Sequence, residues 1–341
     1  MKLGARSYRV RIGSATRLIP EVLGAVPAAA RHVVADARVV RIHPAVVEAC
    51  ASGRPAITVS PGERSKSFAM AERIASSLAR RGADRSAVIV AIGGGVVGDL
   101  AGFVASIYQR GVAVVQVPTT LLAQVDASVG GKTAVNLGEG KNLAGTFHQP
   151  RAVVVDPSLV ATLLERDRNA GLAELLKAAA LDGGAFWRGV RGLGGRLAEA
   201  PPRALEELVA RAISYKARIV AADERESGLR RVLNLGHTLA HALETATAYR
   251  HYRHGEAVAA GLCFAAAISE RRAGLSRADA DALCAAAAPL ARRAPRSLDP
   301  RSVERLFGRD KKTRAGVTSW VLLAAPGRPV IDAGVGKDDL R

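Results

Sequence analysis

The sequence predicts an α/β N-terminal domain over residues 1–156 and a mostly α-helical C-terminal domain over residues 157–341. Three observations carry that prediction. Short β-branched runs alternate with helical patterns through the first half, which implies a parallel sheet with crossover helices. A glycine-rich turn follows one of those runs. Beyond residue 157 strand signals become few, and Ala- and Leu-rich segments with periodic apolar positions take over. A length of 341 residues accommodates about two domains, each large enough to bury a core.

The elements follow in order. The N-terminus, MKLGARSYRVRIG, reads as an alternating strand and lacks the apolar core of a signal peptide. Val33–Ala35, Ala56–Val59, Ala87–Ile92 and Ala113–Val117 read as strands, and Phe68–Arg81 as a helix between two of them. A further apolar run, Ala152–Val155, ends at Asp156-Pro157. In the second half, helices are expected over Ala170–Leu181, Pro202–Ala222, Gly236–Ala246, Gly255–Arg272 and Ala278–Arg292. Gly183-Gly184 and Pro201-Pro202 punctuate them, and Trp320–Ala324 reads as a short strand.

Composition narrows the class. With 49% apolar residues, low-hydrophobicity disorder is excluded. The formal charge of +18 invites a nucleic-acid reading. Nine of the 49 basic residues are Lys, so 49 − 9 = 40 are Arg, scattered along the chain. A single-strand-binding surface interleaves basic residues with aromatics, and aromatics here are only 4%. No nucleic-acid partner is therefore expected. No apolar stretch approaches ~18 residues, so no membrane span is expected either. Cys50, Cys263 and Cys284 are too few and too far apart for a disulfide framework or a thiolate metal site. A cytoplasmic protein is the default.

Gly93, Gly95 and Gly98 fit G-x-G-x-x-G between a strand and a helix. Glycines there let backbone N–H groups approach a pyrophosphate, and the helix N-terminus favours the anion. The same pattern also serves a tight turn that needs no ligand. No acidic residue follows at the usual spacing of about 20. Asp36, at the end of the Val33–Ala35 run, is the alternative partner for a ribose hydroxyl, and an acid there favours NAD over NADP.

Four of the seven histidines, His237, His241, His251 and His254, fall within residues 237–254. His237 and His241 are spaced to share one helix face. Glu174 lies in an otherwise apolar helix, GLAELLKAA. A carboxylate and two imidazoles suit Zn²⁺ with an open position, although core or surface histidines explain most such pairs. In an Arg-rich chain, Lys persists where a compact ammonium is wanted. Lys66, Lys132, Lys141, Lys177, Lys216, Lys311 and Lys312 lie in short polar, glycine-flanked or helix-core contexts. Each alone reads as a surface ammonium. Together they suggest a site for a small molecule carrying phosphate and carboxylate.

Several segments resemble the 3-dehydroquinate synthase family of sugar phosphate cyclases: GGGVVGDLAGFVASIYQRG, VPTTLLAQVDASVGGKTAVN, GKNLAGTFHQP, GLAELLK, DERESGLRRVLNLGHTLAHALE, RHGEAVAAGL and RDKK. The similarity runs from about residue 58 to 325 and is nearly continuous over 93–150. The resemblance implies a dehydroquinate synthase-like fold, with an NAD-binding α/β domain and a helical metal- and substrate-binding domain, usually in a homodimer. It implies zinc held by Glu174, His237 and His254, with Co²⁺ able to accept the same ligands. His241 matches a second-layer or substrate histidine. Lys132, Asn142, Lys177, Lys216, Arg230, Asn234 and Lys311 or Lys312 match substrate-contacting positions, and Asp126 a substrate-hydroxyl contact. Arg110 matches an arginine contributed across the dimer interface to the phosphate. Asp36, Glu63, Lys66, Gly94, Gly95, Asp99, Thr119, Thr120 and Lys141 match the NAD set.

The reaction implied converts a seven-carbon keto-acid phosphate to a cyclic dehydroquinate plus phosphate. Alternatives are an amino-dehydroquinate synthase, another sugar phosphate cyclase, or a metal-dependent polyol dehydrogenase. Three departures stand out. Ala240 replaces a usual Gly, Arg38 replaces the Asn of an early Asp-x-Asn, and Ala178-Ala179 replace a frequent Tyr-Gly.

Overall fold

The computed structural model describes residues 1–28, 30–50, 53–307, 319–332 and 335. Lys311 and Lys312 lie outside the described residues. The chain forms two compact units, Met1–Leu163 with Lys216–Ala221, and Leu164–Tyr215 with Ala222–Arg341.

The first unit contains β1 (Arg9–Ile12), α1 (Ala15–Gly24), β2 (Arg31–Asp36), α2 (Ala37–Ile42), α3 (Pro44–Cys50) and β3 (Ile57–Val59). These are followed by α4 (Phe68–Arg80), β4 (Val88–Gly93), α5 (Gly95–Ile107), β5 (Ala113–Pro118), β6 (Lys132–Leu137), β7 (Gly140–Phe147) and β8 (Ala152–Val155). Six strands form one parallel sheet in the order β1-β8-β5-β4-β2-β3. Both faces are covered, which is why the strands read as near-continuous apolar runs. Val34, Ile89, Ala91 and Val114 pack on one face with Ile74 and Leu78 of α4 and Leu100 and Val104 of α5. Val33, Val88, Val90, Ile92 and Val115 pack on the other with Leu18 and Ile19 of α1 and Val46 of α3.

The strand order reverses between β2 and β4. Asp36 and Gly93 therefore end neighbouring strands at the topological switch point, where open α/β sheets bind ligands. Outside this sheet, β6 and β7 pair antiparallel as a hairpin, which the sequence reading did not foresee. A single π-type turn, Ala123–Ala127, precedes it.

The second unit is mostly helical. It holds α6 (Glu165–Asp182), α7 (Gly184–Leu193), most of α8 (Pro202–Ala222), α9 (His237–Ala246), α10 (His254–Arg272), α11 (Arg277–Ala287) and α12 (Pro300–Phe307). A short antiparallel pair, β9 (Trp320–Ala325) and β10 (Arg328–Asp332), completes it. Gly183 ends α6 at φ 70°, and a Cβ there would stand 2.7 Å from the Pro326 carbonyl oxygen. That close approach explains the punctuation read in the sequence. No helix among the described residues is long and apolar enough to cross a membrane.

Candidate active site

In the first unit, α5 begins directly after the glycine turn, with Gly94 as its N-cap and no side chain capping it. The first backbone hydrogen bond of the helix runs from Gly98 N–H to the Gly94 carbonyl, so the N–H groups of its first turn have no partner within the helix. That end of the helix fits an anionic group. The glycines have further reasons. A Cβ on Gly94 would lie 2.9 Å from Thr120 Cγ2, and one on Gly98 would lie 2.9 Å from Gln116 Oε1. Gln116 Nε2 donates to the Gly98 carbonyl at 3.0 Å, locking α5 onto β5. Thr119 N–H donates to the Gly93 carbonyl at 2.9 Å.

Lys66 is buried. Its Nζ donates to Asp99 Oδ2 at 2.5 Å and to Asn142 Oδ1. Burial pushes the Asp99 carboxyl up, against the pull of the Lys66 ammonium. Lys216 Nζ donates to the Asp126 carbonyl at 2.6 Å and to its Oδ1 at 2.5 Å. Lys66, Asp99 and Asn142 are thus brought together, as are Lys216 and Asp126. Glu63, Lys132 and Arg110 are exposed, and Lys141 is half-buried. Asp36 caps α2, accepting from Arg38 N–H at 2.7 Å. One oxygen of the Asp36 carboxylate is therefore committed to the backbone.

In the second unit, Glu174, His237 and His254 each offer a ligand atom, all within 4.8 Å of one another. The packing that assembles them depends on glycine. A Cβ on Gly255 would stand 2.0 Å from the Ala170 carbonyl oxygen, so α10 starts in backbone contact with α6. A Cβ on Gly261 would stand 1.9 Å from the Gly236 carbonyl oxygen, so the start of α9 seats on α10. Gly236 itself has φ 79°. Arg166 then clamps α6 to α10, with Nε and Nη2 donating to the two Glu256 oxygens at 2.6 and 2.7 Å.

Glu174 is buried, in ion contact with Lys177, and both its oxygens lack a well-formed hydrogen bond. His237 Nε2 and His254 Nε2 stand 3.6 and 3.4 Å from its Oε1. Two donors on one tetrahedral Zn²⁺ at about 2.1 Å stand about 3.4 Å apart, so the spacing fits a shared cation. The imidazoles are oriented from behind. His237 Nδ1 meets the Leu235 carbonyl at 3.2 Å, and His254 Nδ1 meets Glu244 Oε2 at 3.0 Å. These bonds turn both Nε2 atoms toward Glu174.

Burial works to raise the Glu174 carboxyl, but Lys177 and His254 hold it down at about 2. Burial works against a charge on His254, and Glu174 and Glu244 outweigh it, lifting the imidazole to about 10. The pocket is built for positive charge. His241, one turn from His237, has its ring 5.6 Å from that of His237 and lies outside the donor set. Ala240 is fully buried, so the packing holds its methyl group.

Glu244 escaped the sequence reading. It lies seven residues after His237, about two turns along the same face, and that spacing was the available signal. Asp223 escaped it as well. Its oxygens accept from the N–H groups of Ser227, Gly228 and Arg230 at 2.9, 2.8 and 3.0 Å. That turn presents Arg230, whose Nη1 donates to the Glu224 carbonyl at 2.5 Å, and leads to Asn234, whose Nδ2 donates to Glu226 Oε1 at 3.1 Å. Burial opposes the charge on Asp223, but the backbone donors outweigh it and hold the carboxyl well below the usual range. A depressed carboxyl contributes stability above its unfolded pKa of about 3.9 and loses it as pH falls through the folded value. Asp223→Asn is therefore expected to lower the thermal midpoint at pH 7. Its deficit against the parent protein should shrink progressively as pH falls below about 4. A deficit independent of pH in melting curves would remove the charge from this account.

A parallel-sheet unit with a glycine turn at its switch point and a helical unit with a Glu-His-His donor set define a protein fitted to hold an anionic nucleotide group and a metal ion. The chain belongs to the 3-dehydroquinate synthase family. The model of that family's N-terminal domain matches residues 56–170, and that of its C-terminal domain matches 171–313. A 3-dehydroquinate synthase of Symbiobacterium thermophilum is 41% identical, across 100% of this chain and 98% of its own.

Among solved structures, a 2-epi-5-epi-valiolone synthase from Streptomyces hygroscopicus subsp. jinggangensis, with NAD⁺ and Zn²⁺ bound, is 28% identical. Its TM-score is 0.85, covering 98% of this chain and 94% of its own. A 2-deoxy-scyllo-inosose synthase complexed with carbaglucose-6-phosphate, NAD⁺ and Co²⁺ is 27% identical. Its TM-score is 0.82, covering 94% and 90%.

Proposed function

We propose that the chain converts 3-deoxy-D-arabino-heptulosonate 7-phosphate to 3-dehydroquinate and phosphate, using NAD⁺ and a divalent cation, with zinc as the native metal. The observation that carries the reading is family identity sustained over the whole chain. The donor set of Glu174, His237 and His254 supports the cation.

The chemistry needs a transient ketone at C5, because the C–H beside an alcohol is too weakly acidic for phosphate elimination. Bound NAD⁺ would supply a reversible hydride acceptor, and a cation held by Glu174, His237 and His254 would supply polarisation of the substrate oxygens. The substrate's own phosphate is the base for the adjacent proton, and ring opening and intramolecular aldol closure follow. The chain's task is to hold one flexible polyanion in order. Lys132 and Asn142 serve the phosphate, and Arg230 the carboxylate. Lys177 balances Glu174, while Asp126 with its Lys216 partner takes a hydroxyl. His241, Asn234 and the Lys311-Lys312 pair complete the substrate set.

The proposal places the enzyme in the cytoplasm as a homodimer. Arg110 would reach the phosphate of the neighbouring subunit's substrate. Exposure of Arg110 on a turn where Gln109 and Arg110 both have positive φ, 50° and 67°, supports that role. Such conformations cost about 1–3 kcal/mol each, persist only where the surrounding structure over-determines them, and cluster at ligand clamps and active sites.

The test is phosphate release from the heptulosonate phosphate with catalytic NAD⁺, with and without a chelator. Stoichiometric phosphate and dehydroquinate, lost on chelation, are expected. Multiple-turnover accumulation of NADH at 340 nm would instead indicate a polyol dehydrogenase. A preference for the amino analogue would move the chain to that sister activity. Lys132→Ala is expected to lower kcat/KM about 10–100-fold, the worth of one charge-assisted hydrogen bond, with an unchanged thermal midpoint. A change within a few-fold would release Lys132 from the phosphate.

A further inference from the structure

Asn136 belongs to none of the residue sets above, yet it bonds to three of their members. It sits on β6 where the register with β7 shifts, between Val135 and Leu137. Three of its polar groups are each committed to a different candidate site residue. Its backbone N–H donates to the Lys66 carbonyl at 2.8 Å. Its Nδ2 donates to Glu63 Oε1 at 2.7 Å. Its Oδ1 accepts from Asn142 N–H at 2.9 Å. Lys66 Nζ then donates to the Asn142 side chain and closes the ring.

Asn142 holds φ 57°, a left-handed conformation that asparagine adopts more readily than most residues with a side chain. The Asn136 amide satisfies its N–H and so holds it in the left-handed region. Glu63 is exposed on a single 3₁₀ turn, and without a partner its long side chain would be free to rotate.

We infer that Asn136 is a positioning residue that holds Glu63 and Lys66 on one side and Asn142 on the other, so that its loss weakens nucleotide binding and phosphate-end binding at once. The inference rests on the reading above, in which Glu63 and Lys66 serve NAD⁺ and Asn142 serves the substrate phosphate. Asn136 touches neither ligand. Its effect is transmitted through donors and acceptors whose polarity is known, and that polarity makes the inference testable.

Asn136→Ala removes both side-chain bonds. Asn136→Asp keeps the acceptor for Asn142 N–H, but sets a carboxylate against Glu63. Calorimetric titration of the whole protein with NAD⁺, together with steady-state kinetics and thermal melts, separates the cases. Asn136→Ala is expected to weaken NAD⁺ binding about tenfold and to raise the substrate KM several-fold, with a thermal midpoint within a few degrees of the parent. Asn136→Asp is expected to weaken NAD⁺ binding at least as much while leaving the substrate KM within about twofold. Combining it with Glu63→Gln, which reverses donor and acceptor across the same bond, is expected to recover part of the loss seen for Asn136→Asp alone.

If both single variants bind NAD⁺ within twofold of the parent and keep its KM, Asn136 only pins the hairpin and the inference is wrong. If the parent protein itself does not bind NAD⁺, the underlying functional reading fails, and the inference with it.

Discussion

The His254→Ala variant is expected to bind Zn²⁺ at least about 100-fold more weakly than the parent, and to turn over at less than about a thousandth of its rate. Loss of an outer hydrogen-bond partner alone typically costs a metal site 10–100-fold, and loss of a donor should cost no less. The remaining pair, Glu174 and His237, would leave a cation two open positions to fill with water. The side chain of His254 is 36% exposed, so its truncation opens no large cavity. Chelator-treated parent protein is the appropriate comparison, since it should share the catalytic defect while keeping the ability to be reloaded. Elemental analysis after dialysis decides the matter: zinc per chain equal to that of the parent would overturn the ligand assignment.

Gly261→Ala is expected to be nearly as damaging, although residue 261 is no part of the donor set. The added methyl would start 1.9 Å from the Gly236 carbonyl oxygen, a backbone atom that cannot swing aside like a side-chain tip. The helices must separate, and overpacking of this kind costs about 3 kcal/mol or more. In a unit of the size of Leu164–Tyr215 with Ala222–Arg341 that is a fall of about 6–12 °C in thermal midpoint. Because Gly236 immediately precedes His237, the displacement should reach the metal as well. A variant that melts early and also binds Zn²⁺ weakly is the expected result. Parental affinity in the folded variant, measured below its melting range, would show that the glycine contact sets stability but not ligand geometry.

His254 was legible only through resemblance. Its spacing pointed nowhere, whereas the i, i+4 pair pointed to His237 with His241, and the structure brings Glu174 and His254 to His237 instead. The third donor comes from a helix remote in sequence, and pairing of that kind has no local period to detect. Gly261 could not have been singled out, because its reason is a neighbour's carbonyl.

In the first unit, strands buried on both faces announced themselves as β-branched runs, and β2, β4, β5 and β8 lie where those runs lie. The β6–β7 hairpin did not announce itself. KTAVNL and GKNLAGTF interleave Gly, Asn and Lys with apolar residues, and the polar positions that blur the strand pattern include those carrying the Asn136 network. The helices of the second unit were more legible, with α8 matching its expected range of Pro202–Ala222. The start of α6 lay further back than expected, at Glu165, since a charged first turn carries no apolar period.

The division of the chain has a practical bearing on dissection. The unit built on the parallel sheet includes Lys216–Ala221, a stretch of α8 that follows more than fifty residues of the other unit. A fragment ending at Leu163 would omit the ammonium group that binds Asp126. Expression of the sheet region as a linear fragment would therefore yield an incomplete module. A faithful one would have to graft the missing helical stretch back, or supply it as a separate peptide.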